Sequence, residues 1–367
     1  MSLRSISAPL RSVCVVGVPT TTTISRGSIR PLVKVGTCPA PTYQVRYSSY
    51  PAEHVPPPAA SPSSPAYKPD GTIPPRKKVT INTIRSMYRK KEPITMLTAH
   101  DFPSAQVAEA AGMDIILVGD SLAMVAMGME DTSEIVVDDI ILHCRSVARA
   151  AKAAFKVGDL PMGSYEASPE QAVKSAIRII KEGRVQAVKL EGGKEMAPTV
   201  QRIVQAGIPV MSHIGLTPQR QNALGGFRVQ GKSPASALRL LEDALAVQTA
   251  GASMVVVEAV PPAIGDLVTK RLHIPTIGIG AGNFCSGQVL VQVDMLGYFP
   301  PGRFLPKFVK QYGDLWSESM RAITQYRTEV KSREYPDAMH TYPISEEELR
   351  EIEKAFGEKT GASAAAA

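Results

Sequence analysis

The chain has 367 residues, of which 44% are hydrophobic and 20% are charged, with a formal net charge of +7. This composition supplies enough apolar side chains for a large core and excludes a wholly disordered or fibrous chain. No uncharged apolar run approaches the ~18 residues that a membrane-spanning helix needs, so we expect no integral membrane protein.

The excess positive charge is confined to the N-terminal part of the chain. Residues 1–94 contain 14 Lys and Arg against 3 Asp and Glu, whereas residues 95–367 contain 27 against 31. A nucleic-acid-binding domain needs a basic face on its folded part. The mildly acidic remainder therefore argues against a nucleic-acid partner.

The N-terminal segment has the composition of an organellar targeting sequence. Residues 1–52 hold six basic residues and no acidic one, and they are rich in Ser and Thr. Arg46 stands two residues before Ser48, as at a mitochondrial processing site. We assign residues 1–47 to a mitochondrial transit peptide, which predicts the mitochondrial matrix, with a generic disordered tail as the alternative. The proline-rich residues 48–79 are expected to form a linker.

From residue 80 onward, short β-branched runs alternate with Ala-rich amphipathic segments. This alternation predicts parallel strands joined by helical crossovers. Residues 80–331 number 252, close to the ~250 of a typical (β/α)₈ TIM barrel, and a doubly wound sheet is the alternative. The fold class is therefore α/β, a barrel with a disordered N-terminal extension and extra C-terminal helices. The seven clearest strands are predicted at Ile94–His100, Asp114–Asp120, Phe155–Pro161, Ala187–Gly192, Pro209–Gly215, Ser253–Val260 and Pro275–Gly282.

Two helices carry clear start signals in the sequence. One begins after Ser168, with Gln171 at the capping-box position and Gly183 as its expected stop. The other begins at Ser345, where Glu348 completes a capping box. The second helix belongs to the C-terminal extension.

The eighth strand is harder to place. Gly287 follows the seventh run too closely for a parallel crossover of about a dozen residues. We therefore predict a short helix at Gln288–Val293 and the last strand at Asp294–Phe299. Residues 332–367 are predicted to form a C-terminal helical extension and tail.

The glycine-rich segment Ile277–Gly282 resembles a nucleotide-binding loop only superficially, because it lacks the G-x-G-x-x-G spacing. A phosphate site is conceivable at this position of a barrel. We favour glycines selected for close packing.

Acidic residues stand at the predicted C-terminal ends of strands two, three and four, namely Asp120, Asp159 and Glu191. In a (β/α)₈ barrel these ends form the mouth at which catalysis takes place. Three carboxylates in one mouth repel each other unless a cation neutralises them. Oxygen ligands without a cysteine pair favour Mg²⁺ or a similar hard ion. For a single acid at such a position, capping of the next helix is an equally good explanation.

Further polar residues at the strand ends suggest what the site does. A divalent ion that chelates a 2-oxo acid stabilises the enolate formed when the adjacent carbon loses a proton. Glu258 ends an apolar strand and suits proton transfer, since burial raises the pKa of a carboxylate. Lys189 adds positive charge beside the enolate. Two long connections, 121–138 and 216–234, are candidate lids.

Taken together, these residues resemble the ketopantoate hydroxymethyltransferase family, which catalyses the first committed step of pantothenate synthesis. The resemblance runs from about residue 80 to 330. It implies a TIM barrel that uses Mg²⁺ and transfers a hydroxymethyl group from 5,10-methylenetetrahydrofolate to 3-methyl-2-oxobutanoate, giving 2-dehydropantoate. The matching stretches are Val118–Ser121, Asp159–Pro161, Lys189–Gly193, His213–Gln219, Gly225–Gly231 and Ile277–Gly282.

The resemblance also implies roles for individual residues. Glu258 corresponds to the catalytic proton acceptor, Lys189 is expected to assist catalysis, and His213 is expected beside the substrate. It further implies a large homo-oligomer, typically a decamer. The expected metal ligands are Asp120, Asp159 and Glu191. The expected contacts to the 2-oxo acid are Asp120, Ser121, Asp159 and Lys189.

Two alternatives remain open at this stage. Another Mg²⁺–enolate barrel, of the isocitrate lyase and phosphoenolpyruvate mutase type, usually carries a reactive cysteine in a barrel loop. Neither Cys144 nor Cys285 lies in such a motif. A non-catalytic barrel scaffold is expected to have lost a metal acid, Lys189 or Glu258, and this chain retains them all. The sequence therefore favours an enzyme, specifically a hydroxymethyltransferase.

Overall fold

In the computed structural model, residues 76–364 are described, with side chains up to residue 357. The predicted transit peptide and most of the predicted linker and N-terminal extension lie outside the described residues. The described part contains eight parallel strands that close into a barrel in chain order, with the last strand beside the first. The predicted (β/α)₈ fold is confirmed.

The first seven strands lie within the predicted runs, each one to four residues shorter than expected. Their apolar residues divide into two sets because side chains alternate along a strand. One set fills the barrel interior together with Ile84 and Met87 of the first helix, and the other packs against the surrounding helices. The strands are β1 Ile94–Thr98, β2 Ile115–Val118, β3 Phe155–Asp159, β4 Ala187–Glu191, β5 Val210–Gly215, β6 Met254–Glu258, β7 Thr276–Ile279 and β8 Gly287–Leu290.

The helices surround the barrel and continue beyond it. None of those in the described residues is long and apolar enough to cross a membrane. The last helix starts as predicted, since the backbone N–H of Glu348 donates to Ser345 Oγ at 3.2 Å and that of Ser345 donates to Glu348. The helices are α1 Ile81–Lys90, α2 Phe102–Ala110, α3 Leu122–Val125, α4 Val137–Ala150, α5 Pro169–Gly183, α6 Ala197–Gln205, α7 Gln221–Leu224, α8 Pro234–Thr249, α9 Pro262–Arg271, α10 Gln292–Met295, α11 Leu315–Ser332 and α12 Glu346–Ala364.

Helix α5 starts as predicted but ends one residue late. Ser168 Oγ accepts a hydrogen bond from the backbone of Gln171 at 3.1 Å. Gly183 is still helical, and the left-handed cap is Arg184, with φ of 61°. Gly183 has a packing role instead, because a Cβ there would lie 2.8 Å from Cys144 Cβ. The glycine therefore lets α4 and α5 approach closely.

The predicted position of the eighth strand is wrong. The strand is β8, Gly287–Leu290, and the predicted strand at Asp294–Phe299 overlaps helix α10. The first half of the predicted helix at Gln288–Val293 is likewise strand. The dozen-residue crossover rule misled us because β7 and β8 are only four residues long each.

A seven-residue loop is enough to join these two short strands. Gly287 pairs with Ile277, so the loop has to return along the barrel axis by only two to three strand residues, roughly 10 Å. Seven extended residues span about 23 Å, which covers this distance without a helix. A Cβ at Gly287 would lie 2.4 Å from the carbonyl oxygen of Ile94, so glycine permits the closing contact with β1.

The glycines of Ile277–Gly282 serve close packing, as predicted. A Cβ at Gly278 would lie 3.0 Å from Cys285 Sγ, and one at Gly280 would lie 2.6 Å from the Phe308 ring. A Cβ at Gly282 would meet Pro262 at 2.7 Å.

Candidate active site

Strand alternation carries the polar residues into the top of the barrel. Apolar residues occupy the earlier inward positions of β3 to β6. Asp159, Glu191, His213 and Glu258 continue these inward rows at the C-terminal ends, and Lys189 lies one inward position before Glu191. Glu258 keeps a side-chain exposure of 13%, whereas the other four residues are buried.

The three predicted metal acids come together in the structure. Asp120 follows β2, and its backbone N–H donates to Asp159 Oδ2 at 3.2 Å. Lys189 Nζ donates to the same oxygen at 2.5 Å and lies 4.0 Å from Glu191 Oε1. Asp159 and Glu191 therefore share one ammonium group, and Asp120 adjoins them through its hydrogen bond to Asp159.

Burial dominates the electrostatics of this cluster. Burial, against the opposing effect of Lys189 and with a smaller contribution from Asp120, raises the pKa of Asp159 to about 7. Burial also raises the pKa of Glu191 well above its usual range, again against the effect of Lys189. Burial alone would lower the pKa of Lys189, but the surrounding carboxylates outweigh it and the pKa is raised. The cluster thus holds more negative charge than its lysine balances.

The donor set fits a hard cation. Asp159 Oδ1 and Glu191 Oε1 are buried and form no hydrogen bond, and carboxylate oxygens are the ligands that Mg²⁺ prefers. Within residues 76–364, however, no three His, Cys, Asp or Glu side chains already stand at ligand spacing. The Lys189 ammonium contacts both Asp159 and Glu191. Binding of an ion therefore requires these side chains to move towards one another.

His213 connects the acid cluster to Glu258. Its Nδ1 lies 3.4 Å from Glu191 Oε1, and its Nε2 lies 3.3 Å from Glu258 Oε2. Neither nitrogen is aligned for a hydrogen bond. The imidazole is therefore placed between a predicted metal ligand and the predicted proton acceptor.

The backbone around Glu258 is tightly fixed. Leu216 N–H donates to the Glu258 carbonyl oxygen at 2.9 Å. Gly215 has φ of 94°, and a Cβ there would lie 2.3 Å from that same oxygen. Ala259 adopts φ of 47°, a left-handed conformation that is strained for alanine. The end of β6 is thus held at some conformational cost.

These residues face a cavity of about 450 Å³, which is in the range of small-molecule sites. Ser121 lines it at the start of α3. Both predicted lids contribute to its walls, and they are joined where Gln221 Nε2 donates to Asp131 Oδ2 at 2.6 Å. Other lining residues are Met124, Leu216, Phe227, Arg228, Val229, Arg303, Phe304, Lys307 and Phe308.

Sequence reasoning missed two residues of the site. Gln219 is buried and donates through Nε2 to Asp120 Oδ2 at 2.9 Å. Tyr165 is fully buried and donates through its hydroxyl to Gln219 Oε1 at 2.7 Å. Gln219 ends a stretch that matched the family, which was the available signal. Tyr165 lies in the loop after β3 and carries no signal of its own.

Comparisons with known proteins identify the family. Residues 78–338 match the family model of ketopantoate hydroxymethyltransferase. A 3-methyl-2-oxobutanoate hydroxymethyltransferase from Emericella nidulans is 73% identical over 284 residues, covering 77% of this chain and 81% of that protein. The protein of the same name from Oleidesulfovibrio alaskensis is 51% identical over 278 residues, covering 76% and 95%.

A plant relative is also similar. The Oryza sativa subsp. japonica protein named 3-methyl-2-oxobutanoate hydroxymethyltransferase 2, mitochondrial, is 53% identical over 268 residues, covering 72% of this chain and 67% of that protein. The match to the family model spans all eight strands of the barrel. The chain belongs to the ketopantoate hydroxymethyltransferase family of enzymes.

Proposed function

We propose that the chain transfers a hydroxymethyl group from 5,10-methylenetetrahydrofolate to 3-methyl-2-oxobutanoate, giving 2-dehydropantoate, with Mg²⁺ as cofactor. The observation that carries this proposal is the buried cluster of three carboxylates around Lys189 at the floor of the cavity. Family membership favours this reaction over the lyase and mutase chemistry of other Mg²⁺–enolate barrels.

Asp120, Asp159 and Glu191 are the residues that would hold the ion. When bound, Mg²⁺ supplies a Lewis acid that polarises the carbonyl group of the 2-oxo acid. The buried oxygens without hydrogen bonds, Asp159 Oδ1 and Glu191 Oε1, support this assignment.

Glu258 accepts the proton from C3 of the substrate. The C3–H bond breaks, its electron pair forms the C2–C3 double bond of the enolate, and the proton passes to the carboxylate. Glu258 suits this role because it is the least buried member of the cluster and faces the cavity. His213 Nε2 lies 3.3 Å from this carboxylate, and we assign His213 as a further catalytic residue beside the substrate.

Lys189 stabilises the negative charge that develops on the enolate oxygen. We assign the contacts with the 2-oxo acid to Asp120, Ser121, Asp159 and Lys189, which all line the cavity. C3 of the enolate then forms a bond with the methylene carbon of the folate as one of its two C–N bonds breaks, and the C2 carbonyl group is restored. Water displaces the second nitrogen and supplies the hydroxyl group. Tetrahydrofolate leaves with two added protons, one from that water and one equivalent to the proton taken from C3.

The outer part of the cavity suits the folate co-substrate. Phe227, Val229 and Phe308 give it apolar walls on which a flat pterin ring can stack. Arg228 and Lys307 add positive charge at the same cavity, and folates carry carboxylates.

We also propose that the enzyme acts in the mitochondrial matrix as a homo-oligomer, a decamer by family resemblance. The acid-free N-terminal composition and the name of the rice relative support a mitochondrial location. Assembly is supported by α11, which has no buried residue and exposes Met320, Ile323, Tyr326 and Val330.

Proton exchange at C3 of 3-methyl-2-oxobutanoate tests the reaction. With the full chain in D₂O, NMR is expected to show exchange that depends on Mg²⁺, and 2-dehydropantoate is expected only after the folate is added. The Glu258→Gln variant is expected to lose exchange by ~10²–10⁴-fold, because it removes the proton acceptor. A folded, Mg²⁺-loaded protein that gives neither exchange nor product would contradict the proposed substrate.

A further inference from the structure

Gln219 lies in the short 3₁₀ turn Pro218–Arg220 and is only 3% exposed. Its Nε2 donates to Asp120 Oδ2 at 2.9 Å and to the carbonyl oxygen of Leu160 at 3.0 Å. Its Oε1 accepts from the Tyr165 hydroxyl at 2.7 Å, and its backbone N–H donates to Glu191 Oε2 at 3.1 Å. The amide group is therefore fully hydrogen-bonded inside the cluster.

The orientation of this amide is fixed by its partners. A flipped amide would place Oε1 against the Asp120 carboxylate and the Leu160 carbonyl, which are both acceptors. Tyr165 holds the opposite end of the amide, and its hydroxyl lies 3.3 Å from both the backbone nitrogen and the carbonyl oxygen of Glu191. The N–H groups of Gln219 therefore face Asp120.

Each of the three acids has one oxygen held by the protein. Gln219 holds Asp120 Oδ2 through its side chain and Glu191 Oε2 through its backbone. Asp159 Oδ2 is held by the Asp120 backbone and by Lys189. Asp159 Oδ1 and Glu191 Oε1 carry no hydrogen bond. Gln219 thus fixes the rotation of Asp120 and Glu191, and it leaves Glu191 Oε1 open beside the open Asp159 Oδ1.

We propose that Gln219 is a positioning residue for the cation, because it holds one oxygen each of Asp120 and Glu191 and so orients both carboxylates towards the place that the ion would occupy. This inference rests on the metal-dependent function proposed above. A neutral amide suits the role, since it donates hydrogen bonds without bringing a charge that would compete with the ion or repel Asp120. Groups that orient metal ligands contribute about 10–100-fold to affinity or activity.

The Gln219→Met variant of the full chain tests the proposal. It keeps the length of the side chain and the backbone N–H to Glu191 but removes the amide. We expect Mn²⁺, measured as free ion by EPR, to bind about 10–100-fold more weakly than to the unchanged protein. The Mg²⁺ concentration for half-maximal activity is expected to rise by a similar factor, with most of kcat regained at saturating Mg²⁺. A folded variant with unchanged Mn²⁺ affinity would overturn the proposal.

Gln221→Met is the matched control. It makes the same substitution two residues later, where the side chain donates to Asp131 and contacts none of the three predicted metal ligands. Its Mn²⁺ affinity is expected to stay within about twofold of the unchanged protein. Equal losses in Gln221→Met and Gln219→Met would overturn the proposal, because they would assign the effect to disruption of the turn.

Tyr165→Phe provides a second variant that leaves the amide in place. It removes the hydroxyl that orients Gln219, so we expect a smaller loss of Mn²⁺ affinity than in Gln219→Met. The double variant is expected to bind no more weakly than Gln219→Met alone, because both changes act on one contact to Asp120. Additive losses would contradict the proposal. Failure of the unchanged protein to bind Mn²⁺ would instead refute the metal-dependent function, and the positioning role with it.

Discussion

Three carboxylates cluster with the Lys189 ammonium at the mouth of the barrel. Asp159 contacts it directly, and Glu191 lies at its edge. An ammonium in this place keeps the acids close together before a divalent ion arrives. The lysine, protons and the ion also compete for the same carboxylate oxygens, because each of them neutralises the negative charge there.

The raised pKa of Asp159, about 7, predicts how pH acts on metal binding. Below pH 7 the carboxyl carries a proton that the ion must displace, so affinity for Mg²⁺ is expected to rise with pH and to level off above it. The stability of the metal-free protein depends on pH in the opposite direction. The native state holds this proton more tightly than the unfolded chain, so stability falls as pH rises from about 4 to about 7.

Isothermal titration calorimetry in buffers of different ionisation enthalpy measures the protons released. We expect at least one proton per Mg²⁺ at pH 6 and fewer at pH 8. Mg²⁺ affinity that is constant between pH 5.5 and 8 would contradict the prediction.

The acids of the site could be predicted from the sequence because a carboxylate at the end of an apolar strand is conspicuous. Gln219 and Tyr165 could not be predicted, because an amide and a phenol carry no charge and their contacts join segments far apart in sequence. Their role depends on the rotation of side chains within the folded mouth. Residue patterns do not contain that information.

Among the elements, the β5–β6 junction determines where Glu258 stands. Gly215 lets the two strand ends approach because it has no Cβ and adopts φ of 94°. Gly215→Ala is expected to lower the free energy of unfolding by more than about 2 kcal/mol, from backbone strain and from the clash with the Glu258 carbonyl. Turnover is expected to fall up to ~10²-fold, because Glu258 is displaced from the substrate.

Gly207→Ala separates these two effects. Gly207 has φ of 84°, but a Cβ there would meet nothing within 4 Å. It is expected to cost about 1–2 kcal/mol of unfolding free energy with turnover retained. Urea unfolding and steady-state assays measure both quantities. Equal losses of turnover in the two variants would show that the junction does not position Glu258.

Seven strands could be predicted because buried parallel strands are continuous apolar runs between helical segments. The eighth could not, since β8 has only four residues, Gly287–Leu290, and follows a loop without a helix. Its identity depends on pairing with β1, at the other end of the barrel sequence. Local pattern does not reveal such a partner.

At the scale of the whole molecule, the described contacts begin just before α1. Arg76 donates to the carbonyl oxygen of Met113 at 3.2 Å. Val79 is 5% exposed, and its backbone N–H donates to the carbonyl oxygen of Ala153 at 2.7 Å. The segment from residue 76 to 80 therefore belongs to the packed structure, although we predicted a linker up to residue 79.

Two truncations test where the folded part starts. A chain that begins at residue 76 is expected to unfold at the same urea concentration as the full chain. A chain that begins at residue 81 loses the buried Val79 and the cap of α1 at Thr80. We expect it to lose roughly 2–4 kcal/mol of unfolding free energy. Equal midpoints for the two truncated chains would contradict this prediction.

The pairing of β1 with β8 also orders events during synthesis of the chain. Ile94 and its partner Gly287 are separated by 193 residues, so the ring closes only when nearly the whole catalytic part is available. Before that, β1 and the most recent strand both present unpaired backbone groups, which are templates for association with other chains. Helices α11 and α12 come later and are not needed for closure. A chain stalled before residue 287 is therefore an open sheet, and we expect its need for a chaperone to end once β8 has emerged.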